Sequence, residues 1–364
     1  MKHHLHLLRL AAVFCCLAIT MSTVSAAVTP SNVGSDGMIS ADAFNTEAED
    51  FDGIDQDFLD YVSEQGSISV SELKSIAGDY SLPAKYLQRF VDDSFVIKAG
   101  SSYNYYPIDK KLAKNDYDFH NLVQLDNGFK DYVINDESQI ITGVDVSQHQ
   151  GDIDWESVYN DGIRFAFIRL GNRGYQTGKL SLDEKFYQNL QNARAAGIKV
   201  GVYFYSQARN YKEGVEEANF VIDALKGYKI DFPVVFDVEG APSKTARTYG
   251  ISKAQLTNAC LGFCKTVAAK RYRPMIYTYT KVVATELDMT RLKKYPKWIA
   301  MYYAEPFYPY EMSIWQYTSS GYVDGIDGRV DLNMEFLNGA NVKVAKAAAA
   351  AAAKAAAASS SAGQ

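Results

Sequence analysis

The sequence predicts an α/β fold in which an irregular (β/α) barrel of the TIM type occupies residues 139–340. Eight short apolar runs, each of the length of a buried strand, alternate with helical patterns between residues 140 and 332. Strands that alternate with helices form a parallel sheet, and eight of them close into a barrel. The last runs follow one another too closely to be separated by full helices. The helices of the second half are therefore predicted to be reduced.

The ends of the predicted strands carry the functional signal. The strands are Ile140–Val146, Phe165–Leu170, Lys199–Ser206, Pro233–Val238, Met275–Tyr279, Trp298–Tyr302, Ile314–Tyr317 and Val330–Leu332. In a parallel barrel, functional side chains lie at the C-terminal ends of the strands. Because several of these runs end in an acid or an aromatic residue, the sequence predicts one polar and aromatic site at one end of the barrel.

Two carboxylates directly follow the fourth apolar run. Asp237 and Glu239 come after Val234–Phe236, and Pro233 and Gly240 bound the segment. Residues i and i+2 of a strand point to the same face, about 6–7 Å apart. Like charges this close raise each other's pKa and are costly to bury. Paired carboxyls of unequal pKa suit acid-assisted cleavage of an acetal bond; the alternative is that both acids face solvent.

Other strand ends bring further acids and rings to the predicted site. The acids are Asp145 and Asp331, and the rings belong to Tyr203, Tyr205, Tyr277, Tyr279, Tyr302, Trp315 and Tyr317. Aromatic rings suit the apolar faces of sugars, while carboxylates and amides bind hydroxyls. Arg169, on an apolar run, is expected to pair with one of the clustered acids. The pattern favours a carbohydrate site, although each single Tyr is also explained as a core or rim residue.

The segments before the barrel are predicted from their composition. Residues 1–26 have the basic, apolar and small-residue order of a secretory signal peptide. Residues 27–60 are acidic and poor in apolar side chains, which predicts a flexible leader with a helical tendency near its end. Residues 61–108 predict a small α+β module that resembles a winged helix in outline, with a hairpin around Ala99–Ser102. Residues 109–138 are polar and charged and predict a linker with some local structure.

Charge and composition restrict the possible partners. The net charge is −6 over 364 residues, so the chain lacks the basic surface that nucleic-acid binding requires. Residues 341–364 are mostly Ala, Lys and Ser, which predicts a solvated, partly helical tail and no membrane span.

No phosphate loop or set of metal ligands stands out, so no cofactor or metal is predicted. Cys260 and Cys264, four apart on a predicted helix, are expected to pack in the core.

Several pieces of the sequence occur together in the order of one enzyme family. They are Gly143–Ser147 with Gln150–Gly151 and Ile153–Trp155, then Phe167–Gly171, Ala195–Ser206, Phe232–Glu239, Trp298–Ala300, Trp315–Tyr317 and Gly325–Asn333. In these pieces the chain resembles the glycoside hydrolase family 25 lysozymes, the Chalaropsis-type muramidases, over about residues 140–337. The resemblance implies a modified α/β barrel that hydrolyses the β-1,4 bond between N-acetylmuramic acid and N-acetylglucosamine in peptidoglycan.

The resemblance also implies roles for individual residues. By position, Glu239 would be the general acid that protonates the leaving oxygen, and Asp237 would be its partner. Asp145 and Asp331 would complete the acidic cluster. The glycan groove would be lined by Tyr203, Tyr205, Tyr277, Trp298, Tyr302 and Trp315. The enzyme would be exported and would act on peptidoglycan glycan strands outside the cell or in the wall.

The role of Asp237 and the function itself each have alternatives. A direct nucleophile requires carboxyl groups about 5–5.5 Å apart, and a wider gap suits activation of a water. In the route that we favour, Asp237 orients the acetamido group of the substrate, which attacks in its place. The rival functions are a non-catalytic wall-glycan-binding protein on the same barrel, and a hydrolase of another N-acetylated glycan such as chitin.

Overall fold

The computed structural model describes residues 32–337. The predicted signal peptide at residues 1–26 and the predicted tail at residues 341–364 lie outside the described residues. The elements before the barrel are, in chain order, β1 (Met38–Ser40), α1 (Ala41–Ala48), α2 (Gln56–Gln65), β2 (Ser67–Ser69), α3 (Val70–Ile76), α4 (Ala84–Gln88), β3 (Ser94–Ala99), β4 (Ser102–Pro107), β5 (Leu122–Gln124), β6 (Lys130–Ile134) and β7 (Glu137–Ser138).

Residues 32–107, here called the N-terminal unit, enclose a hydrophobic core of their own. Phe44 of α1 and Phe58 of α2 are fully buried, with their ring centroids 5.3 Å apart in an edge-to-face arrangement. The prediction of a flexible leader over residues 27–60 is therefore wrong from residue 38 onward. It failed because the few apolar side chains of this acidic stretch are placed on the buried faces of its two helices, a placement that average composition does not show.

A hairpin and a small sheet follow α4. The hairpin belongs to the N-terminal unit, and the sheet lies between that unit and the barrel in the chain. The hairpin predicted around Ala99–Ser102 is present, since β3 and β4 pair antiparallel. Residues 109–138, predicted as a linker, contain the three-stranded antiparallel sheet of β5, β6 and β7. Tyr132 of this sheet is buried, and its ring lies 5.5 Å from that of Phe336 in the last barrel strand. This segment is therefore packed against the barrel.

The remaining elements build the barrel. They are β8 (Ile140–Val146), α5 (Trp155–Asn160), β9 (Phe165–Arg173), β10 (Leu180–Leu182), α6 (Phe186–Ala195), β11 (Lys199–Tyr205), α7 (Tyr211–Ala224), β12 (Val234–Asp237), α8 (Lys253–Ala269), β13 (Pro274–Tyr279), α9 (Thr280–Thr285), α10 (Met289–Leu292), β14 (Lys297–Ala300), β15 (Ile314–Gly321) and β16 (Val330–Phe336). Strands β8, β9, β11, β12, β13, β14, β15 and β16 pair in that order, and β16 pairs with β8 to close the barrel. The predicted fold class is confirmed.

The second half of the barrel is irregular, as predicted. Within the described part of the chain, no α-helix lies between β14 and β15 or between β15 and β16. The prediction of an all-parallel sheet is wrong for the last strand, because β16 runs antiparallel to both β15 and β8. Asp331 therefore lies at the start of its strand. The reversal brings that start to the same rim of the barrel as the C-terminal ends of the other strands.

Inward and outward side chains alternate along the strands. On β9, Phe165 and Phe167 point into the barrel, whereas Ala166 and Ile168 pack against the outer helices. Gly143 of β8 makes room for the inner rings, because a Cβ at this position would lie 2.4 Å from the ring of Phe165. Apolar side chains thus fill the lower part of the barrel, and the positions nearer the C-terminal ends of the strands carry polar groups.

Helices α7 and α8 on the outside of the barrel approach each other unusually closely. A Cβ on Gly214 of α7 would lie 2.1 Å from the carbonyl oxygen of Ala259, and one on Gly262 of α8 would lie 2.2 Å from that of Tyr211. The two glycines therefore allow backbone-to-backbone contact between the helices. The two cysteines of α8 are free and buried, as predicted.

Candidate active site

Four acidic side chains lie at the rim where the parallel strands end. Asp145 of β8 and Asp331 of β16 are directly paired across the antiparallel ladder. Asp237 is the last residue of β12. Strands β9 and β11 lie between β12 and β8, the strand that carries Asp145. Glu239 follows two residues later. The acids predicted from the strand ends are thus brought together, although Asp331 reaches the rim from the opposite end of its strand.

Asp145 is held by two buried amides. Gln316 Nε2 and Asn333 Nδ2 each donate to Asp145 Oδ1, and both donor–acceptor distances are 2.8 Å. These residues come from β15 and β16, and both are almost fully buried. Because Oδ1 accepts both bonds, the second carboxyl oxygen of Asp145 is left to face Asp331.

The amides are themselves oriented by aromatic side chains. The hydroxyls of Tyr277 and Tyr302 both donate to Gln316 Oε1 at 2.8 Å. The indole Nε1 of Trp298 donates to Asn333 Oδ1, also at 2.8 Å. Each amide oxygen is therefore an acceptor, which fixes each NH₂ group toward Asp145.

Sequence reasoning did not single out Gln316 and Asn333. Both belong to the pieces that carry the family resemblance, in Trp315–Tyr317 and Gly325–Asn333. A signal was available, because an amide within an apolar strand requires a buried partner. That partner is Asp145 of β8, which the pairing of β8 with β16 brings close to both amides, and no local pattern reveals this pairing.

Burial and mutual repulsion determine the ionisation of Asp145 and Asp331. Burial, followed by the charge of Asp331, raises the pKa of Asp145 well above its usual range, and the two amide hydrogen bonds offset part of this rise. Burial also raises the pKa of Asp331, and its hydrogen bond with Asp145 lowers it in part. The two carboxyls therefore titrate as a coupled pair, and burial favours a neutral form of this pair.

Asp237 has an unsatisfied oxygen. Its side chain is buried, and within residues 32–337 its Oδ1 has no hydrogen-bond partner. Burial, followed by the charges of Glu239 and Asp145, raises its pKa well above the usual range. A buried carboxyl oxygen without a partner is costly, so this atom is available for a donor from a bound molecule.

Of the two acids at the end of β12, Glu239 is more accessible to solvent than Asp237. It follows the strand and is only partly buried. Burial, followed by the charge of Asp331, raises its pKa. A carboxyl group that stays protonated to higher pH and that solvent reaches has the properties of a general acid.

The predicted aromatic lining is corrected at two positions. Trp298 is 1% exposed and lies inside the barrel, under Tyr277 with ring centroids 4.5 Å apart. Trp315 is 0% exposed, and its indole donates to the carbonyl oxygen of Met301. Neither indole is accessible to a glycan. The family resemblance implied both as lining residues. Trp298 instead faces the barrel interior near the start of β14, below the rim, and Trp315 faces outward from the barrel.

Four tyrosines retain access to the rim. Tyr302 is 44% exposed, and the other three, Tyr203, Tyr205 and Tyr277, are partly buried. Tyr205 and Tyr277 flank Asp237 as its register partners on the two neighbouring strands. These rings border the acids, in agreement with a groove that passes over them.

Arg169 pairs with a different acid from those predicted. Its Nε donates to Asp183 Oδ2 at 2.7 Å, and this carboxylate also accepts from the backbone N–H of Gln148 at 3.2 Å. Asp183 follows β10 and is not at the end of a barrel strand. The positive charge of Arg169 still lowers the pKa of Asp237, but only against the larger effect of burial.

Between residues 32 and 337, no three His, Cys, Asp or Glu side chains are arranged to hold a metal ion. In that same range, every helix is too short or too polar to cross a membrane.

Comparison with known proteins identifies the family of the barrel. The model of the glycosyl hydrolases family 25 matches residues 144–326. Lysozyme M1 of Streptomyces globisporus is 32% identical over 203 residues, which cover 53% of this chain and 67% of that protein. The autolytic lysozyme of Clostridium acetobutylicum is 29% identical over 199 residues, which cover 54% of this chain and 56% of the relative.

A solved structure gives the same fold. The modular autolysin LytC from Streptococcus pneumoniae, solved in complex with a synthetic peptidoglycan ligand, superposes with a TM-score of 0.50 at 24% identity. The match covers 68% of this chain and 57% of that one. The barrel and its acidic rim define a glycoside hydrolase. The chain belongs to the glycosyl hydrolases of family 25, which confirms the resemblance seen in its sequence.

Proposed function

We propose that this protein is an exported muramidase that cleaves the β-1,4 bond between N-acetylmuramic acid and N-acetylglucosamine in peptidoglycan. The observation that carries the proposal is the meeting of Asp145, Asp237, Glu239 and Asp331 at one rim of a family 25 barrel. The curated relatives named as lysozymes support the bond, and the LytC complex with a peptidoglycan ligand supports the substrate.

Glu239 is the general acid of the proposed reaction. Its raised pKa keeps the proton in place at pH values where an ordinary carboxyl has lost it. The proton passes to the glycosidic oxygen as the bond from that oxygen to C1 breaks. The resulting carboxylate then takes a proton from the water that completes hydrolysis, and Glu239 is restored.

Asp237 orients the substrate's own acetamido group. The unpartnered Oδ1 of Asp237 accepts the acetamido N–H, which satisfies a buried oxygen that otherwise has no partner. The acetamido oxygen attacks C1 as the leaving group departs and forms a cyclic oxazoline-type intermediate. Water then attacks C1 and reopens the ring. In this role Asp237 positions the nucleophile and forms no covalent bond.

The remaining acids and rings hold the substrate in place. Asp331, beside Glu239, raises the pKa of the general acid, and Asp145 holds Asp331 by a hydrogen bond. The four accessible tyrosines are proposed to contact the faces of the sugar rings. They are Tyr203, Tyr205, Tyr277 and Tyr302.

Export from the cell is part of the same proposal. Residues 1–26 act as a signal peptide that is removed, and the mature enzyme works outside the cell or in the wall. This assignment rests on the basic, apolar and small-residue order of the segment.

The test is release of fragments from purified peptidoglycan by the mature protein and by Glu239→Gln. We expect fragments that end in reducing N-acetylmuramic acid, reduced at least about a hundredfold in the variant because proton donation is lost. Asp223→Asn, at an exposed site on α7, is the matched control and should keep wild-type activity. Reducing N-acetylglucosamine ends would refute the proposed bond. Binding without release would favour a glycan-binding protein, and release from chitin alone would favour a chitin hydrolase.

A further inference from the structure

The loop between β14 and β15, residues 301–313, replaces a barrel helix and is held from outside the barrel. Its two ends bond to barrel strands, through the N–H groups of Met301 and Ser313. Between these ends, the Tyr302 hydroxyl bonds to Gln316 of β15, and the other hydrogen-bond partners of the loop come from residues that precede the barrel. They are Lys85, Arg89, Asp109, Ala113, Asn115, Tyr117 and Lys130.

The N-terminal unit contacts this loop through Lys85 of α4 and through Arg89, the residue that follows this helix. Lys85 Nζ donates to the carbonyl oxygen of Tyr302 at 3.0 Å and lies 4.4 Å above the centre of the Tyr303 ring. Arg89 Nη1 pairs with Glu305 Oε2 at 3.0 Å, and Arg89 Nε pairs with Glu47 of α1 at 3.3 Å. The loop is therefore joined to two helices of the N-terminal unit.

The contact continues into the acidic cluster. The main chain of Tyr302 is bonded to Lys85, and its hydroxyl donates to Gln316 Oε1 at 2.8 Å. Gln316 Nε2 in turn donates to Asp145. Only three hydrogen bonds separate Lys85 of the N-terminal unit from the carboxyl pair. Because the Tyr302 side chain is 44% exposed, packing alone does not fix its position.

We propose that the N-terminal unit is a working part of the active site, in which Lys85 is a positioning residue that holds Tyr302 against Gln316. This inference rests on the proposed muramidase function. The family match at residues 144–326 does not include the unit, so this chain adds its own support to a barrel loop that lacks a helix. Loss of the anchor releases the loop, and Gln316 then loses one of the two hydroxyls that orient it.

A different role for the unit makes a different prediction. If the N-terminal unit only anchored the enzyme to the wall, disturbing it would weaken action on intact peptidoglycan and would leave the turnover of short soluble glycan fragments unchanged. A short fragment occupies the acidic rim without reaching a separate anchor. Soluble fragments therefore separate positioning from anchoring.

The experiment measures kcat and KM of the full mature chain on soluble peptidoglycan fragments. Lys85→Met removes the ammonium and keeps the stem, Lys85→Arg restores a donor, and Tyr302→Phe removes the hydroxyl. Lys98→Met, on β3 of the same unit, is the matched control. We expect Lys85→Met to lower kcat about threefold to tenfold, with Lys85→Arg close to wild type and little change in the melting temperature.

The double variant decides the mechanism. If Lys85 acts through the Tyr302 hydroxyl, Lys85→Met has little further effect in the Tyr302→Phe background. Unchanged kcat in Lys85→Met, or full additivity with Tyr302→Phe, overturns the inference while wild-type activity stands. Absence of fragment release by the wild-type chain would instead refute the proposed function, so the two failures are distinguishable.

Discussion

At the scale of single residues, two amides organise the acidic cluster. Gln316 and Asn333 both donate to one oxygen of Asp145, and their own oxygens are occupied by hydroxyl and indole donors. A flip of either amide would place its carbonyl oxygen against the Asp145 carboxyl, and a flip of Asn333 would also place its NH₂ group against the indole N–H of Trp298. The orientation of Asp145 toward Asp331 is therefore determined by neutral side chains.

Replacing the first amide tests this role. Gln316→Leu has a similar volume but leaves Asp145 without one donor and removes the acceptor of Tyr277 and Tyr302. We expect kcat on peptidoglycan fragments to fall about tenfold to a hundredfold, because a preorganised donor is lost. The exposed Gln191→Leu on α6 is the control. A folded Gln316→Leu protein with wild-type kcat would contradict the role, and its melting curve shows whether it is folded.

The raised pKa of Asp145 has a consequence for stability. A carboxyl whose pKa is higher in the folded than in the unfolded protein makes the folded state bind more protons. Stability from this group is thus greatest at low pH, and it is lost as the pH rises from the unfolded pKa toward the folded one. Asp145→Asn keeps an oxygen for the two amides and an N–H toward Asp331 without this titration.

We therefore expect Asp145→Asn to melt at a higher temperature than wild type near pH 7. The gain should shrink as the pH is lowered and should vanish below about 4, where the wild-type carboxyl becomes protonated in both states. Activity should fall at the same time. Melting curves of both proteins across this pH range test the expectation, and a gain that is independent of pH would contradict the link to ionisation.

At the scale of elements, the apolar runs were sufficient to locate all eight barrel strands. They did not reveal strand direction, because an alternating run such as Val330–Leu332 has the same pattern when read in either direction. For the same reason, the sequence could not show that Trp315 faces the outside of the barrel while its neighbour Gln316 faces the barrel interior. Acids at strand ends were recognised more easily, because a charge has few acceptable positions near a buried strand.

Gly214 shows how element packing overrides local propensity. In an isolated helix, Gly214→Ala would stabilise α7 by about 1 kcal/mol. Here the new methyl group would lie 2.1 Å from the carbonyl oxygen of Ala259 in α8. We expect net destabilisation of about 1–3 kcal/mol, because the two helices must move apart. Urea denaturation measures it, with the exposed Lys212→Ala on α7 as control; a variant as stable as wild type would disprove the close contact.

At the scale of the whole molecule, composition was the least informative guide. Because residues 27–60 are rich in acids, composition predicted a flexible leader. The few aromatic rings in that stretch instead determine the fold of the N-terminal unit. Composition also described residues 109–138 as a linker, although they pack on the barrel and supply partners to the loop after β14. Local patterns could not reveal these contacts, because their partners are about 190 residues away along the chain.

The reversed last strand has a consequence for biosynthesis. Because β16 lies between β15 and β8, the earliest and latest strands of the barrel meet at its seam. A nascent chain that has not yet emerged from the ribosome as far as Asp331 and Asn333 therefore lacks one carboxyl of the acidic cluster and one amide of Asp145. The acidic cluster is therefore complete only when the barrel is closed, and a chain that ends before β16 is expected to lack activity on peptidoglycan.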